Sequence, residues 1–178
     1  ACFSRRDCYS LFFLMILFAY NMARNRRIQH DNKIALTWAK GTAVVGFLGA
    51  GVWGFLHTLA PVNYYTHGTQ LTAAHGHLAF FGAYVMICFT LISYAMPILR
   101  GRPHGNGPKA QGVERLSFWM MVIGMIGLTL ALTVAGIMQI EMQRLRDVTE
   151  ALDFMSAQAA ISTVYGVRLA FGVMVFLG

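Results

Sequence analysis

Charge is scarce in this chain. Asp, Glu, Lys and Arg make up 12% of the 178 residues while 57% are hydrophobic, and the mean hydropathy is +0.55. A soluble domain of this size carries about twice that share of charge, so the ordinary globular classes are excluded. Acidic residues are scarcest, 7 against 14 basic ones, for a net charge of +7. Such an excess can mark nucleic-acid binding. Here the basic residues stand in short loops between apolar runs, where they act as topology signals, and no nucleic-acid partner is expected. Cysteine is nearly absent too. Cys2, Cys8 and Cys88 lack metal-type spacing and an even disulfide count, so a disulfide framework and a thiolate metal site are both excluded. No small-residue cleavage site follows the first apolar run, which argues against a secretory signal.

What the chain has instead is long apolar runs, at about 11–22, 34–60, 71–97, 116–140 and 157–178. The middle three are each long enough to cross a bilayer as a helix, whereas the first, at about a dozen residues, is short for a span. Glycine and alanine recur inside them (Gly46, Gly49, Gly51 and Gly54; Gly82 and Ala83), as expected where helices pack closely in lipid. The expected fold class is an all-α membrane protein, with residues 1–178 forming one transmembrane domain. The first and last runs read as cut, so the chain is expected to be a piece of a longer protein. Two loops are basic, with Arg24, Arg26, Arg27 and Lys33 in one and Arg100, Arg102, Lys109 and Arg115 in the other. The positive-inside rule assigns both to the cytoplasm, and the loops at Pro61–Gln70 and Glu141–Ser156 then face outward. Arg5 and Arg6 also fall outside, against the rule.

Within the third run stands His75-Gly76-His77. Residues two apart on an α-helix differ by roughly 200° of rotation and about 3 Å of rise. The two imidazoles therefore point to opposite sides. One metal held by two histidines of one helix needs a spacing of three or four. The spacing of two suggests instead two separate cofactors with the helix as a shared wall, or, more plainly, core histidines satisfied by neighbouring carbonyls. Intramembrane histidines are costly and by default functional. With Gln70 on the outer side, both lie roughly 8–10 Å along the helix, in the outer half of the membrane.

The stretch Gly51-Val-Trp-Gly-Phe-Leu-His-Thr-Leu-Ala-Pro-Val-Asn-Tyr-Tyr-Thr-His-Gly-Thr-Gln70, running into Leu71-Thr-Ala-Ala-His-Gly-His-Leu-Ala-Phe80, resembles the catalytic subunit of bacterial cytochrome c-dependent nitric oxide reductases, in the haem-copper oxidase superfamily. The resemblance runs from about Leu11 to the end and is strongest between Gly49 and Arg100. It implies the C-terminal helices of a twelve-helix bundle in the bacterial inner membrane. It also implies reduction of two nitric oxide molecules to nitrous oxide and water, with electrons from a cytochrome c subunit. By the resemblance His75 is the axial ligand of a high-spin haem b and His77 one of two axial ligands of a low-spin haem b. The non-haem iron and its ligands, and the second ligand of the low-spin haem, belong to helices outside this chain. On that view the chain alone is inactive. Residues 1–10 depart from the family pattern and carry no assigned function.

Further candidates follow from that reading. The outer segment Thr58–Thr69 is rich in donors, with Asn63 and His67 the foremost candidates for haem propionates; an ordinary interfacial Tyr belt reads equally well there. His30 and His104 fall in basic loops and are expected to be solvated. Arg168 is either a cation needing a partner inside the membrane or an interfacial anchor. Thr129 and Thr133 fit a polar path or, more commonly, bonds to their own helix. Two alternatives remain: a terminal oxygen reductase of the same superfamily, disfavoured by the glycine at position 76, and a non-catalytic b-type cytochrome, disfavoured by the single His-x-His.

Overall fold

The computed structural model describes residues 32–102, 107–145 and 149–178; the apolar run at 11–22, the basic loop before Asp31, and His30 and His104 lie outside them. Among the described residues there is no strand. Three continuous helical stretches are long and apolar enough to cross a membrane: Lys33–Thr58, Gln70–Leu99 and Pro108–Leu145, of 26, 30 and 38 residues. A fourth candidate is a helix pair bent by 64°. The protein is a helical membrane protein. We number the α-helical segments α1 (Lys33–Gly46), α2 (Gly54–Thr58), α3 (Ala60–Thr66), α4 (Gln70–Phe80), α5 (Met86–Leu99), α6 (Pro108–Ile140), α7 (Phe154–Ala160) and α8 (Ser162–Leu177). Wider π-helical turns join α1 to α2 (Phe47–Trp53) and α4 to α5 (Phe81–Val85), and another follows α6 (Glu141–Leu145).

The breaks have local causes. Pro61 has no N–H for the His57 carbonyl and its ring would clash there, so α2 cannot continue through it: Leu59 is extended (ψ 122°) and α3 restarts with proline in its first turn. Gly68 takes φ +75°, a conformation that glycine adopts without a Cβ penalty, and this reverses the chain between α3 and α4. Asp153 caps α7 by accepting from the Ser156 N–H at 3.0 Å.

The described residues divide into two compact units, those up to 52 with those in 79–115, and those in 53–78 with those from 116 on. In the first, α1 packs on α5 and on the turn before it. Gly46 and Gly82 let the backbones approach: a Cβ on Gly82 would lie 2.4 Å from the Gly46 nitrogen. Trp38, 3% exposed, stacks on Phe89 with centroids 4.8 Å apart. The Asn32 amide donates to the Ser93 carbonyl at 2.7 Å while its oxygen caps α1 through the Ala35 N–H.

In the second unit α6 is the spine. Gly124 and Gly127 face Phe171 and Val175 of α8, where added Cβ atoms would meet α8 atoms at 2.8 and 2.3 Å. Ala135, Met142 and Ile161 form a buried cluster with Leu152, Val164 and Tyr165 packed around it. Gly136 lies against the Leu71 backbone, at the start of α4. Only 22% and 17% of the most apolar windows of the first two spans are buried, so most of their surface, including Val44, Leu48, Leu91 and Leu99, faces outward.

Candidate haem-ligating site

The candidate ligands stand on α4, whose first turn is held by its neighbours. Thr69 is buried; its hydroxyl donates to the Thr66 carbonyl at 2.7 Å and accepts from the Leu71 N–H at 3.3 Å. The Gln70 N–H donates to Gln139 Oε1 of α6 at 3.0 Å. The Arg144 guanidinium donates to the His67 carbonyl at 2.7 Å.

His75 and His77 occupy different surroundings on this helix. His77 is exposed, and its Nδ1 lies 2.8 Å from the Ala73 carbonyl one turn back. The carbonyl can only accept, so Nδ1 carries the proton and Nε2 keeps its lone pair. That is the tautomer of an imidazole that binds a metal through Nε2. Beside it, a Cβ on Gly76 would meet nothing within 4 Å, which leaves the flank of the helix open to a large planar group. The donor chemistry and the space both fit a haem at His77.

His75 is half-buried and packed against α2. Its ring stacks on His57 with centroids 4.9 Å apart and planes at 21°, and Trp53 stands 6.4 Å away. The edge of the ring carrying Cε1 and Nε2 rests on Gly54, where a Cβ would sit 3.4 Å from Cε1. The imidazole is the right donor for haem iron, and the side facing Gly54 has no room for a macrocycle unless α2 gives way. The donor chemistry fits haem iron at both; the flank beside His77 is open at Gly76, while Gly54 crowds the Nε2 edge of His75.

His57 is part of this arrangement. Its Nδ1 lies 3.1 Å from the Trp53 carbonyl, which fixes its tautomer in the same way, and its Nε2 is buried without a partner among the described residues. No role was expected for His57 from the sequence. A usable signal was present: Trp53 and His57 are four apart and Gly54 and His57 three apart, so one helix face offers a small residue between two rings. Asn63 and His67 lie away from this cluster, both with exposed side chains on α3 and the turn after it. The His67 N–H donates to the Asn63 carbonyl at 2.9 Å. Gln139 and Arg144 were likewise missed, although a lone glutamine in an apolar run three residues after a glycine is a recognisable mark of helix contact. Among the described residues no group of three or more His, Cys, Asp or Glu side chains is arranged to hold a metal ion.

Comparison with known proteins adds to this geometry. Residues 11–174 match the family model described as Cytochrome C and Quinol oxidase polypeptide I. The chain is 55% identical over 167 residues to a nitric oxide reductase subunit of Stutzerimonas stutzeri, covering 94% of this chain and 35% of that protein. It is 31% identical over 137 residues to Cytochrome c oxidase subunit 1 of Rhodobacter capsulatus, covering 75% of this chain and 25% of that protein. The chain therefore spans about a third and a quarter of the length of these two relatives.

Proposed function

Because the chain belongs to the family of cytochrome c and quinol oxidase polypeptide I, we propose that it forms the haem-ligating helices of a nitric oxide reductase. It is a multi-pass protein of the bacterial inner membrane. The reaction proposed consumes two nitric oxide molecules, two electrons and two protons and yields one nitrous oxide and one water. The observation that carries the reading is the state of His77. It is an exposed imidazole at membrane depth, with Nδ1 committed to its own helix and Nε2 left as a donor beside an open glycine flank. An imidazole at membrane depth is costly and by default functional, which supports a ligand role for His77.

In this reading His77 would hold a low-spin haem b, and His75, on another side of the same helix, would hold a high-spin haem b only once α2 gives way at Gly54. Haem, when bound by these histidines, would supply reversible one-electron exchange and an iron centre for nitric oxide chemistry. What this chain's residues do is narrower. The Ala73 carbonyl holds His77 in one tautomer and one ring orientation. His57 and Trp53 hold the His75 ring from α2. Asn63 and His67 offer polar side chains at the same end of the helix for propionates. We further propose that a non-haem iron is held by residues outside this chain, and that a cytochrome c-type subunit delivers the electrons from the outer side. The basic residues Arg100, Arg102, Lys109 and Arg115 then mark the cytoplasmic side.

The test uses the haem-loaded membrane protein. His77→Ala should abolish the low-spin haem signal and leave a high-spin haem that binds carbon monoxide; His75→Ala should do the reverse. Loss of both haems from either folded variant overturns separate ligation. A protein that consumes oxygen and leaves nitric oxide untouched, with a reduced artificial donor, overturns the proposed substrate and favours the reaction named for the Rhodobacter relative.

A further inference from the structure

We propose that Gln139, backed by Gly136, is a positioning residue for the His75–His77 pair: it grips the first turn of α4 and so sets the depth and rotation at which both imidazoles stand. The inference rests on the haem reading above. The first four N–H groups of a helix have no acceptor within it. Three of the four at the start of α4 are accounted for by name. The Leu71 N–H goes to the Thr69 hydroxyl and the Thr72 N–H to the Thr69 carbonyl, both within the preceding turn. The Gln70 N–H goes to Gln139 Oε1, 69 residues away on α6.

Gln139 is an expensive choice for this position. It is 0% exposed, and its Nε2 is buried with no partner among the described residues. An apolar side chain of the same size would avoid that desolvation, so the position is explained by what Oε1 does. Two further contacts act on the same turn. Gly136, three residues before Gln139 and on the same face of α6, lets the Leu71 backbone come so close that a Cβ would lie 2.4 Å from the Leu71 nitrogen. Arg144, in the π-helical turn after α6, donates to the His67 carbonyl at 2.7 Å. The end of α6 therefore holds residues 67–71 at three points.

The consequence for the site follows from helix geometry. His75 and His77 come five and seven residues after Gln70 on one helix. Slipping α4 by a single residue against α6 would rotate each imidazole by about 100° and move it by about 1.5 Å. An axial ligand tolerates neither.

The experiment compares Gln139→Met, which removes the acceptor at similar volume, with Gln139→Glu, which keeps an oxygen there, in the haem-loaded protein. Two readouts are taken: hydrogen–deuterium exchange at the Gln70 amide, and the electron paramagnetic resonance signal and reduction potential of the low-spin haem. We expect Gln139→Met to raise Gln70 exchange at least tenfold and to shift or broaden the haem signal, with Gln139→Glu restoring both. Unchanged exchange in Gln139→Met overturns the grip. Raised exchange with an unmoved haem signal overturns the positioning role and leaves only a structural tie. If Gln139→Met fails to fold, Arg144→Gln, altering an exposed side chain, removes one tie and should shift the signal less but in the same direction; no shift overturns the proposal. Wild-type protein without a low-spin signal overturns the haem reading itself, which is distinguishable because it precedes any substitution.

Discussion

Two glycines face each other across the contact between α1 and the turn before α5, yet they should respond very differently to the same added methyl. A Cβ on Gly82 would lie 2.4 Å from the Gly46 nitrogen, 2.6 Å from the Val45 carbonyl carbon and 2.8 Å from the Gly46 Cα. All three are backbone atoms, so no side chain can swing aside. A Cβ on Gly46 would meet its nearest atoms, Gly82 carbon and oxygen, at 3.4 Å, an ordinary contact. Gly82→Ala must therefore separate the helices by about 1 Å. That displacement takes the Asn32–Ser93 hydrogen bond, now 2.7 Å, beyond bonding distance and loosens the Trp38–Phe89 stack. Overpacking of this kind costs about 1–3 kcal/mol, and the lost hydrogen bond adds about 1 kcal/mol. Gly46→Ala should be neutral or slightly stabilising, since alanine is the better helix former by up to about 1 kcal/mol. Because that propensity gain largely cancels in the comparison, the difference between the two variants isolates the clash. Equilibrium unfolding in detergent, followed by tryptophan fluorescence, measures it. Variants that unfold within about 0.5 kcal/mol of each other, against the roughly 2–4 kcal/mol expected, would refute the close-approach argument.

Three further outcomes are expected. His57→Phe keeps a ring against His75 and removes the buried, unpartnered Nε2, so despite losing the Nδ1 contact to Trp53 it should change stability by less than about 1 kcal/mol, whereas His57→Ala should cost clearly more. Equal losses from the two, in thermal melts, would show that the stack contributes nothing. The Asp153 carboxyl is held below its usual value of 3.8 by the Ser156 N–H and hydroxyl that donate to it. A depressed folded-state pKa means its contribution is present above that usual value and is lost as pH falls through the lower folded one. The first turn of α7 should therefore fray only in that acid range, and a Ser156 amide resonance that is already pH-dependent near neutrality would contradict this. Finally, cysteines introduced at Tyr64 and Arg102, after replacement of Cys2, Cys8 and Cys88, should be labelled from the outer side at 64 alone; labelling at 102 alone would invert the topology.

The membrane class was readable because charge is rare and apolar runs are long, and the His-Gly-His spacing was readable because it is a local angle. What joins the helices was not readable from pattern. A helix apolar on all sides has no polar face to tell which side packs, so the partners of α4 and α6 are hidden. The bend between α7 and α8 has neither glycine nor proline at Ile161; that residue is 0% exposed against Ala135 and Met142, so tertiary packing sets the bend. The rare polar residues inside the spans do carry information, though unequally. Thr42, Thr90 and Thr133 each bond the carbonyl four residues back on their own helix and report no neighbour. The amides behave otherwise. Asn32 reaches Ser93 across 61 residues and Gln139 reaches Gln70 across 69. An amide side chain offers donor and acceptor at the end of a longer arm, and in Asn32 and Gln139 it bonds a distant backbone group, as the Ser117 hydroxyl also does with the Gly178 carbonyl. In a chain this poor in polar residues, a buried Asn or Gln marks where another part of the backbone must pass. By that rule Gln139 points to the start of the helix that carries both candidate ligands.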